Sequence, residues 1–134
     1  MIFVDTSAFL SVENRRDTCH RKALSFRDTC IKRGEILITS DYVLDETYTI
    51  IRIRAGHDIA TQFGEDIRAS KILRLEYITP ETIEGAWRIF KTFFDHDFSF
   101  TDCTSFILME HLGISTAFTF DTHFREYGQF TVRP

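Results

Sequence analysis

FSFTDCTSFILMEHLGISTAFTFDTHF, residues 98–124, predicts a helix followed directly by a strand, and this order decides the fold. Thr101 is expected to cap the helix, with Phe106 on its inward side and Gly113 ending it in the left-handed conformation that glycine tolerates. Residues 116–120 then form a strand, because they are rich in β-formers and too apolar to lie open to water.

Two acids stand at the ends of these elements. Asp102 lies in the first turn of the predicted helix, and Asp121 directly follows the strand. In open parallel sheets, ligands bind at the carboxyl ends of the strands. These positions therefore predict a binding site, provided that other parts of the chain bring polar groups to the same edge.

The composition predicts one folded domain over residues 1–134. Apolar residues make up 43% of the chain, with 14 phenylalanines, so a core can form without disulfides. Three cysteines without C-x-x-C spacing are expected to be reduced thiols: Cys19, Cys30 and Cys103. The start of the chain lacks signal-peptide features and no segment is long enough to span a bilayer, so we expect a cytoplasmic location.

Strands and helices alternate along the chain, which predicts a parallel sheet covered by helices on both faces. Strands are predicted at residues 2–4, 36–39, 73–78, 116–120 and 130–133. Helices are predicted after Asp5, over 14–33, from Ser40 to Gly56, and after Asp58, Pro80 and Thr101. Inward stripes are expected at Ile59, Phe63 and Ile67, and at Ile83, Trp87, Phe90 and Phe94.

A further acid ends the first strand, and another lies on the helix after Ser40. Asp5 directly follows an apolar strand, where a charge is costly unless something pairs with it. In the Asp45-Glu46 pair, Glu46 lies three residues after Val43 and four before Ile50, so it borders the buried stripe. Asp45 falls on the polar face, and Glu46 is therefore the better candidate.

Four converging carboxylates predict a divalent metal site. Carboxylate oxygens suit Mg²⁺ or Mn²⁺, and without a cation such close charges repel one another. The formal net charge of −4 excludes binding of nucleic acid by overall positive charge, whereas a bound cation would attract phosphate locally. Each acid taken singly is explained equally well as a helix cap.

These residues resemble the signature of the PIN-domain ribonucleases, in the family's order and over essentially the whole chain. The matching segments are Asp5-Thr-Ser7, Ser40-x-x-Val43-x-x-Glu46, Ser99-Phe-Thr-Asp102 and Thr119-Phe-Asp121-x-x-Phe124. Within the family, the chain is most similar to the toxins of VapBC-type toxin–antitoxin pairs.

The resemblance implies a three-layer α/β/α fold with a mostly parallel central sheet. It also implies Mg²⁺- or Mn²⁺-dependent hydrolysis of RNA, a homodimer, and inhibition by a small antitoxin protein. The family's catalytic and metal-binding acids correspond to Asp5, Glu46, Asp102 and Asp121, and its accompanying hydroxyls to Thr6, Ser7 and Thr119. His123 is not part of the signature and is expected to be a surface or helix-capping residue.

The sequence also suggests surfaces for partners. Candidate phosphate contacts are Arg15, Arg16, Lys22, Arg52 and Arg54, although each taken singly is better explained as part of a solvated helix face. An antitoxin helix or a second copy of the chain is expected to cover outward apolar residues of the second to fourth helices: Leu24 or Phe26, Tyr42, Tyr48, Ile53 and Phe63.

Three alternatives stay open from the sequence. A housekeeping PIN nuclease that processes ribosomal or transfer RNA without an antitoxin would carry the same motifs. A receiver-like phosphate-accepting domain would need a second acid beside Asp5 and a lysine near the end of the last strand, and an aspartate-nucleophile phosphatase would need Asp-x-Asp. The chain has Asp5-Thr-Ser7 and ends Val132-Arg133-Pro134. A pure binding module would leave the four acids without a role.

Overall fold

The computed structural model describes residues 1–134 and contains one five-stranded sheet with seven helices. The elements are β1 (Ile2–Val4), α1 (Thr6–Glu13), α2 (His20–Lys32), β2 (Leu37–Ser40), α3 (Asp41–Ala55), α4 (His57–Ala69), β3 (Leu73–Glu76), α5 (Pro80–Thr92), α6 (Phe100–Leu112), β4 (Thr116–Phe118), α7 (His123–Tyr127) and β5 (Thr131–Arg133). The strand order is β3-β2-β1-β4-β5, and every pair is parallel. The predicted α/β class is confirmed. None of the helices is both long and apolar enough to cross a membrane.

β1 lies at the centre of the sheet, and its side chains show how the layers form. Successive residues of a strand point to opposite faces. Phe3 stacks on Phe124 of α7 on one face, with ring centroids 6.4 Å apart. Val4 is in register with Phe118, which packs edge-on against Phe26 of α2 on the other face. Both faces are therefore covered, which explains why β1 is apolar at every position.

α2 begins later than predicted. The expected helix over 14–33 is interrupted before His20, because local side-chain hydrogen bonds hold a turn there. The side-chain Oδ1 of Asn14 accepts from the backbone N–H of Arg16 at 3.0 Å, and Oδ1 of Asp17 accepts from that of Cys19 at 2.7 Å. Such bonds compete with helix formation, which is typical of Asn and Asp.

The inward stripe predicted for α5 is wrong. Trp87 is 47% exposed, Phe90 44% and Phe94 89%, while the buried residues are Thr82, Gly85, Ala86 and Ile89. The physical reason is close contact with α6, because a Cβ at Gly85 would lie 3.1 Å from three side-chain atoms of Ile107. Small residues face α6, and the aromatic rings are left on the outer side of α5.

Several residues expected on the outer surface are in fact packed. Phe63, which the sequence placed both on an inward stripe and among the outward residues, is only 3% exposed and contacts Phe9 and Tyr48 edge-on, so its inward position is confirmed. Phe26, the alternative to Leu24 on the outer surface, packs on Phe118. Ile53 is exposed as predicted, at 79%. The reverse error concerns Ile59, which was expected inside and is 51% exposed. α4 also begins at His57 rather than after Asp58, because Gly56, at φ +95°, is its N-cap. The apolar surface of α3 and α4 is thus smaller than the sequence indicated.

Candidate active site

The carboxyl ends of β1 and β4 meet the N-termini of α1 and α6 at a cavity of about 220 Å³. The structure brings all four predicted acids to it. The lining residues are Asp5, Thr6, Ser7, Leu10, Glu46, Ile50, Ser99, Asp102, Asp121 and His123. No lysine or arginine is among them, so the cavity is an acidic pocket at one edge of the sheet.

Asp5 is the most buried of the acids, at 3% exposure, and caps the start of α1. Its Oδ2 accepts hydrogen bonds from the Ser7 backbone N–H at 3.2 Å, the Ser7 hydroxyl at 2.9 Å and the Thr119 hydroxyl at 3.0 Å. Burial, with a smaller contribution from the charge of Asp102, nevertheless raises the pKa of Asp5 to about 6, against the lowering effect of these hydrogen bonds.

The hydroxyls of Ser7 and Thr119 join the two strand ends. Ser7 Oγ accepts from the backbone N–H of Phe120 at 2.9 Å, and Thr119 Oγ1 accepts from that of Asp121 at 3.0 Å. The two hydroxyl oxygens lie 3.0 Å apart. The segment that carries Asp121 is therefore held against the segment that carries Asp5.

Glu46 reaches the cavity from α3. The Thr6 hydroxyl donates to Glu46 Oε2 at 2.6 Å, and the Thr47 hydroxyl donates to Thr6 Oγ1 at 3.1 Å. Asp45 is exposed, on the polar face that the helical spacing assigned to it. Asp41, on that same face, accepts from the backbone N–H of Ile78 at 2.9 Å and so has a structural role.

Asp102 forms a capping box with Ser99, so Thr101 is not the helix cap that the sequence suggested. Ser99 Oγ accepts from the Asp102 backbone N–H at 2.9 Å, and Asp102 Oδ2 accepts from the Ser99 backbone N–H at 2.9 Å. The spacing Ser-x-x-acid was the available signal, since it is the sequence pattern of a capping box. Burial raises the pKa of Asp102, although the bonds from Ser99 and His123 oppose this.

His123 belongs to the cavity, and its interpretation as an ordinary surface or capping residue is wrong. Its Nδ1 lies 2.8 Å from Asp102 Oδ2 and 3.4 Å from Asp121 Oδ1. Burial lowers the pKa of His123, but the hydrogen bond to Asp102 and the two carboxylate charges outweigh it, so the pKa is raised. The only signal in the sequence was its position two residues after Asp121.

The donor set fits a hard divalent cation. Ligand atoms of Asp102, Asp121 and His123 lie within 4.8 Å of one another, and the carboxylates of Asp5 and Glu46 line the same cavity. Oxygen-rich sites of this kind suit Mg²⁺ or Mn²⁺. Burial raises the pKa of both Asp5 and Asp102, so the charged carboxylates are disfavoured in the metal-free protein, and a bound metal ion would favour them.

The family model of the PIN domain matches residues 2–129 of this chain. The chain belongs to the PIN-domain family. This assignment excludes the receiver-like and phosphatase interpretations. The four segments that carry the resemblance all fall within the matched region of this PIN domain.

Similar proteins are known among toxins. The PIN domain is 36% identical over 134 residues to the 23S rRNA-specific endonuclease VapC20 of Mycobacterium tuberculosis. The alignment covers 100% of this chain and 99% of VapC20. The crystal structure of VapC20, described as a sarcin–ricin loop cleaving toxin, superposes with a TM-score of 0.90 at 34% identity and full coverage of both chains.

More distant structures share the fold alone. VapBC2 of Rickettsia felis, bound to a DNA fragment from its promoter, matches 99% of this PIN domain and 98% of that chain, with a TM-score of 0.75 and 10% identity. FitAcB of Neisseria gonorrhoeae matches 100% of this PIN domain and 97% of that chain, with a TM-score of 0.74 and 13% identity.

Proposed function

We propose that this protein is a metal-dependent endoribonuclease and the toxin of a VapBC-type toxin–antitoxin pair. The observation that carries the proposal is the convergence of Asp5, Glu46, Asp102 and Asp121 on one cavity that no lysine or arginine lines. The full-length likeness to an RNA-cleaving toxin supports the same activity. The chain acts as a single PIN unit in the cytoplasm, where its RNA substrate lies.

Asp5, Glu46, Asp102 and Asp121 would hold Mg²⁺ or Mn²⁺, which when bound would act as a Lewis acid on the phosphodiester and lower the pKa of a bound water. Asp5 and Asp102 would be the fixed ligands, because Ser7 and Thr119 donate to Asp5 and the Ser99 backbone N–H donates to Asp102, which sets the orientation of both carboxylates. Thr6 orients Glu46 through the bond of 2.6 Å. Since water is the nucleophile, the products carry a 5′-phosphate and a 3′-hydroxyl, as the family resemblance implies.

The substrate follows from the most informative relative. VapC20 is a 23S rRNA-specific endonuclease, and its structure is described as that of a sarcin–ricin loop cleaving toxin. We extend this target to the present protein, because the likeness covers its whole length at 36% identity. The predicted phosphate contacts Arg52 and Arg54 are exposed and lie outside the acidic cavity, where they can reach only flanking parts of an RNA.

The experiment is cleavage of 23S rRNA in isolated ribosomes with Mg²⁺, mapped by primer extension. We expect one dominant cut in the sarcin–ricin loop, lost in Glu46→Gln and kept in the matched control Asp45→Asn. If the protein cuts only other RNA, the proposed substrate is wrong. If Glu46→Gln and Asp45→Asn are equally active, the proposed site is wrong.

A small antitoxin is the proposed partner, and a groove beside the active site suits it. Leu10 lines both the acidic cavity and a neighbouring groove, whose other apolar residues include Ile51 and Ile59. An amphipathic helix could bury its apolar face there, and a basic side chain at its end could pair with the acids in place of metal.

Co-purification with the product of the adjacent upstream reading frame tests this partner. Ile59→Asp should abolish co-purification, because Ile59 is 51% exposed and lines the groove. If no such partner exists and the cut in 23S rRNA persists, the protein is a housekeeping PIN nuclease instead.

The homodimer is proposed to form through the outer side of α5. Trp87 and Phe90 stack with centroids 5.8 Å apart, and Phe94 is 89% exposed. An exposed aromatic stripe of this kind marks a contact surface. Phe90→Asp should convert a dimer to a monomer in light scattering while leaving antitoxin binding intact; a monomeric parent protein would refute the proposal.

A further inference from the structure

We propose that His123 contributes Nδ1 as a nitrogen ligand to the catalytic ion, and that this ligand makes the site favour Mn²⁺ over Mg²⁺. The inference rests on the proposed metal-dependent function and adds the identity of one ligand and of the preferred ion. His123 lies outside the acidic signature, so the family resemblance gave it no such role.

The distances around Nδ1 match the edge of a coordination shell. Nδ1 is 2.8 Å from Asp102 Oδ2 and 3.4 Å from Asp121 Oδ1. Neighbouring ligands of an octahedral ion with bonds of about 2.1 Å lie about 3 Å apart. Nδ1 and each of these carboxylate oxygens can therefore occupy neighbouring positions around an ion, and the Nδ1 proton is released when the nitrogen coordinates.

The imidazole is held in this position by its neighbours. The His123 backbone N–H donates to Asp121 Oδ1 at 2.9 Å, which fixes the turn between the two residues. The next residue, Phe124, is fully buried and packs on Phe3 and Phe106. Phe98 contacts the imidazole edge-on at 5.5 Å. Little conformational freedom is lost on metal binding, since the ring is already oriented.

A nitrogen ligand changes the choice of metal. Mg²⁺ is bound in proteins by oxygen ligands and retained water, whereas imidazole is a ligand of transition ions. Mn²⁺ accepts the same carboxylates as Mg²⁺ and gains more from the additional nitrogen. An all-oxygen cavity would lack this contribution of nitrogen to the preference.

If His123 only orients Asp102 and does not bind the ion, the expected effects of its loss on metal binding are different. If Nδ1–H only donates to Asp102, the histidine orients a carboxylate for either ion, and its loss weakens Mg²⁺ and Mn²⁺ binding by the same factor. No nitrogen would then contact the metal.

The test is pulsed electron paramagnetic resonance of the full-length protein loaded with Mn²⁺, which detects coupling to a directly bound ¹⁴N. We expect this coupling in the parent protein and its loss in His123→Asn. The matched control is His96→Asn, because His96 also contacts Phe98 and an aspartate, Asp95, but does not line the cavity. The control should keep the signal.

Calorimetric titration with each metal alone supplies the second readout. We expect His123→Asn to weaken Mn²⁺ binding by about tenfold and Mg²⁺ binding by less. Mn²⁺ binding without ¹⁴N coupling in the parent, or equal losses for both ions, would overturn the ligand role and leave the nuclease proposal standing. If the parent protein binds no Mn²⁺, this inference and the proposed metal site are both wrong. Asp102→Asn should also lose Mn²⁺ binding, and this variant tests the metal site independently of His123.

Discussion

Replacing Asp5 by asparagine should stabilise the metal-free protein at neutral and basic pH. Asp5 is nearly fully buried and lies close enough to Asp102 for their charges to repel. Asparagine is as good a helix N-cap as aspartate, and its side-chain oxygen can accept the bonds from Ser7 and Thr119. The substitution therefore removes a buried charge while keeping the local structure.

The magnitude follows from the pKa of the carboxyl. It is raised from 3.8 to about 6 in the folded protein, chiefly by burial. The protonated group therefore stabilises the fold fully below pH 3.8, and this contribution is lost as the pH rises through about 6. The full loss corresponds to about 3 kcal/mol, at about 1.4 kcal/mol for each pH unit of the difference.

The assay is urea unfolding of Asp5→Asn and the parent in chelator, at about pH 4 and about pH 8. The advantage of the variant should be larger at the higher pH by about 2–3 kcal/mol. Asp45→Asn serves as a control and should show no such change. Added Mn²⁺ should stabilise the parent more than the Asp5 variant, because only the parent offers the charged ligand.

A variant that is less stable than the parent at the higher pH in chelator would refute this account. Asp5 would then be a stabilising cap whose charge is well compensated, and its assignment as a metal ligand would lose its physical basis.

Two further predictions concern the fold. Ile89→Ala on the buried side of α5 should lower the free energy of unfolding of the monomer by about 2–4 kcal/mol. Phe94→Ala, at an exposed side chain just after α5, should change it by less than about 0.5 kcal/mol; urea unfolding that ranks the two variants the other way would show that the aromatic stripe is core. Ser99→Ala should cost about 1 kcal/mol through loss of the capping bond to Asp102, and an unchanged midpoint would show that this bond contributes nothing.

The succession of strands and helices along the chain was predictable because apolar strands and capped helices leave clear local signals. The choice of Glu46 over Asp45 followed from helical spacing, and Glu46 is the one that lines the cavity. The parallel sheet followed from alternation of strands and helices, and all four strand pairs are parallel.

Two of the errors arose where tertiary contacts overrule local pattern. The stripe on α5 was misplaced because periodicity favoured large aromatic rings, whereas close approach of α6 selects Gly85 and other small residues. The role of His123 could not be read from spacing alone, since its contact with Asp102 joins residues 21 positions apart. Long-range packing of this kind leaves no periodic signal.

The most direct test of the central claim is the rate of RNA cleavage as a function of added Mn²⁺ after complete chelation. The acidic cavity is proposed to cleave RNA only with a bound ion, so the parent should be inactive in chelator and recover fully when Mn²⁺ is restored. Asp102→Asn should stay more than about 100-fold slower at every Mn²⁺ concentration, since a direct ligand contributes more than the groups that orient it. Cleavage by the parent in excess chelator, or recovery of Asp102→Asn to the parent rate, would contradict the claim.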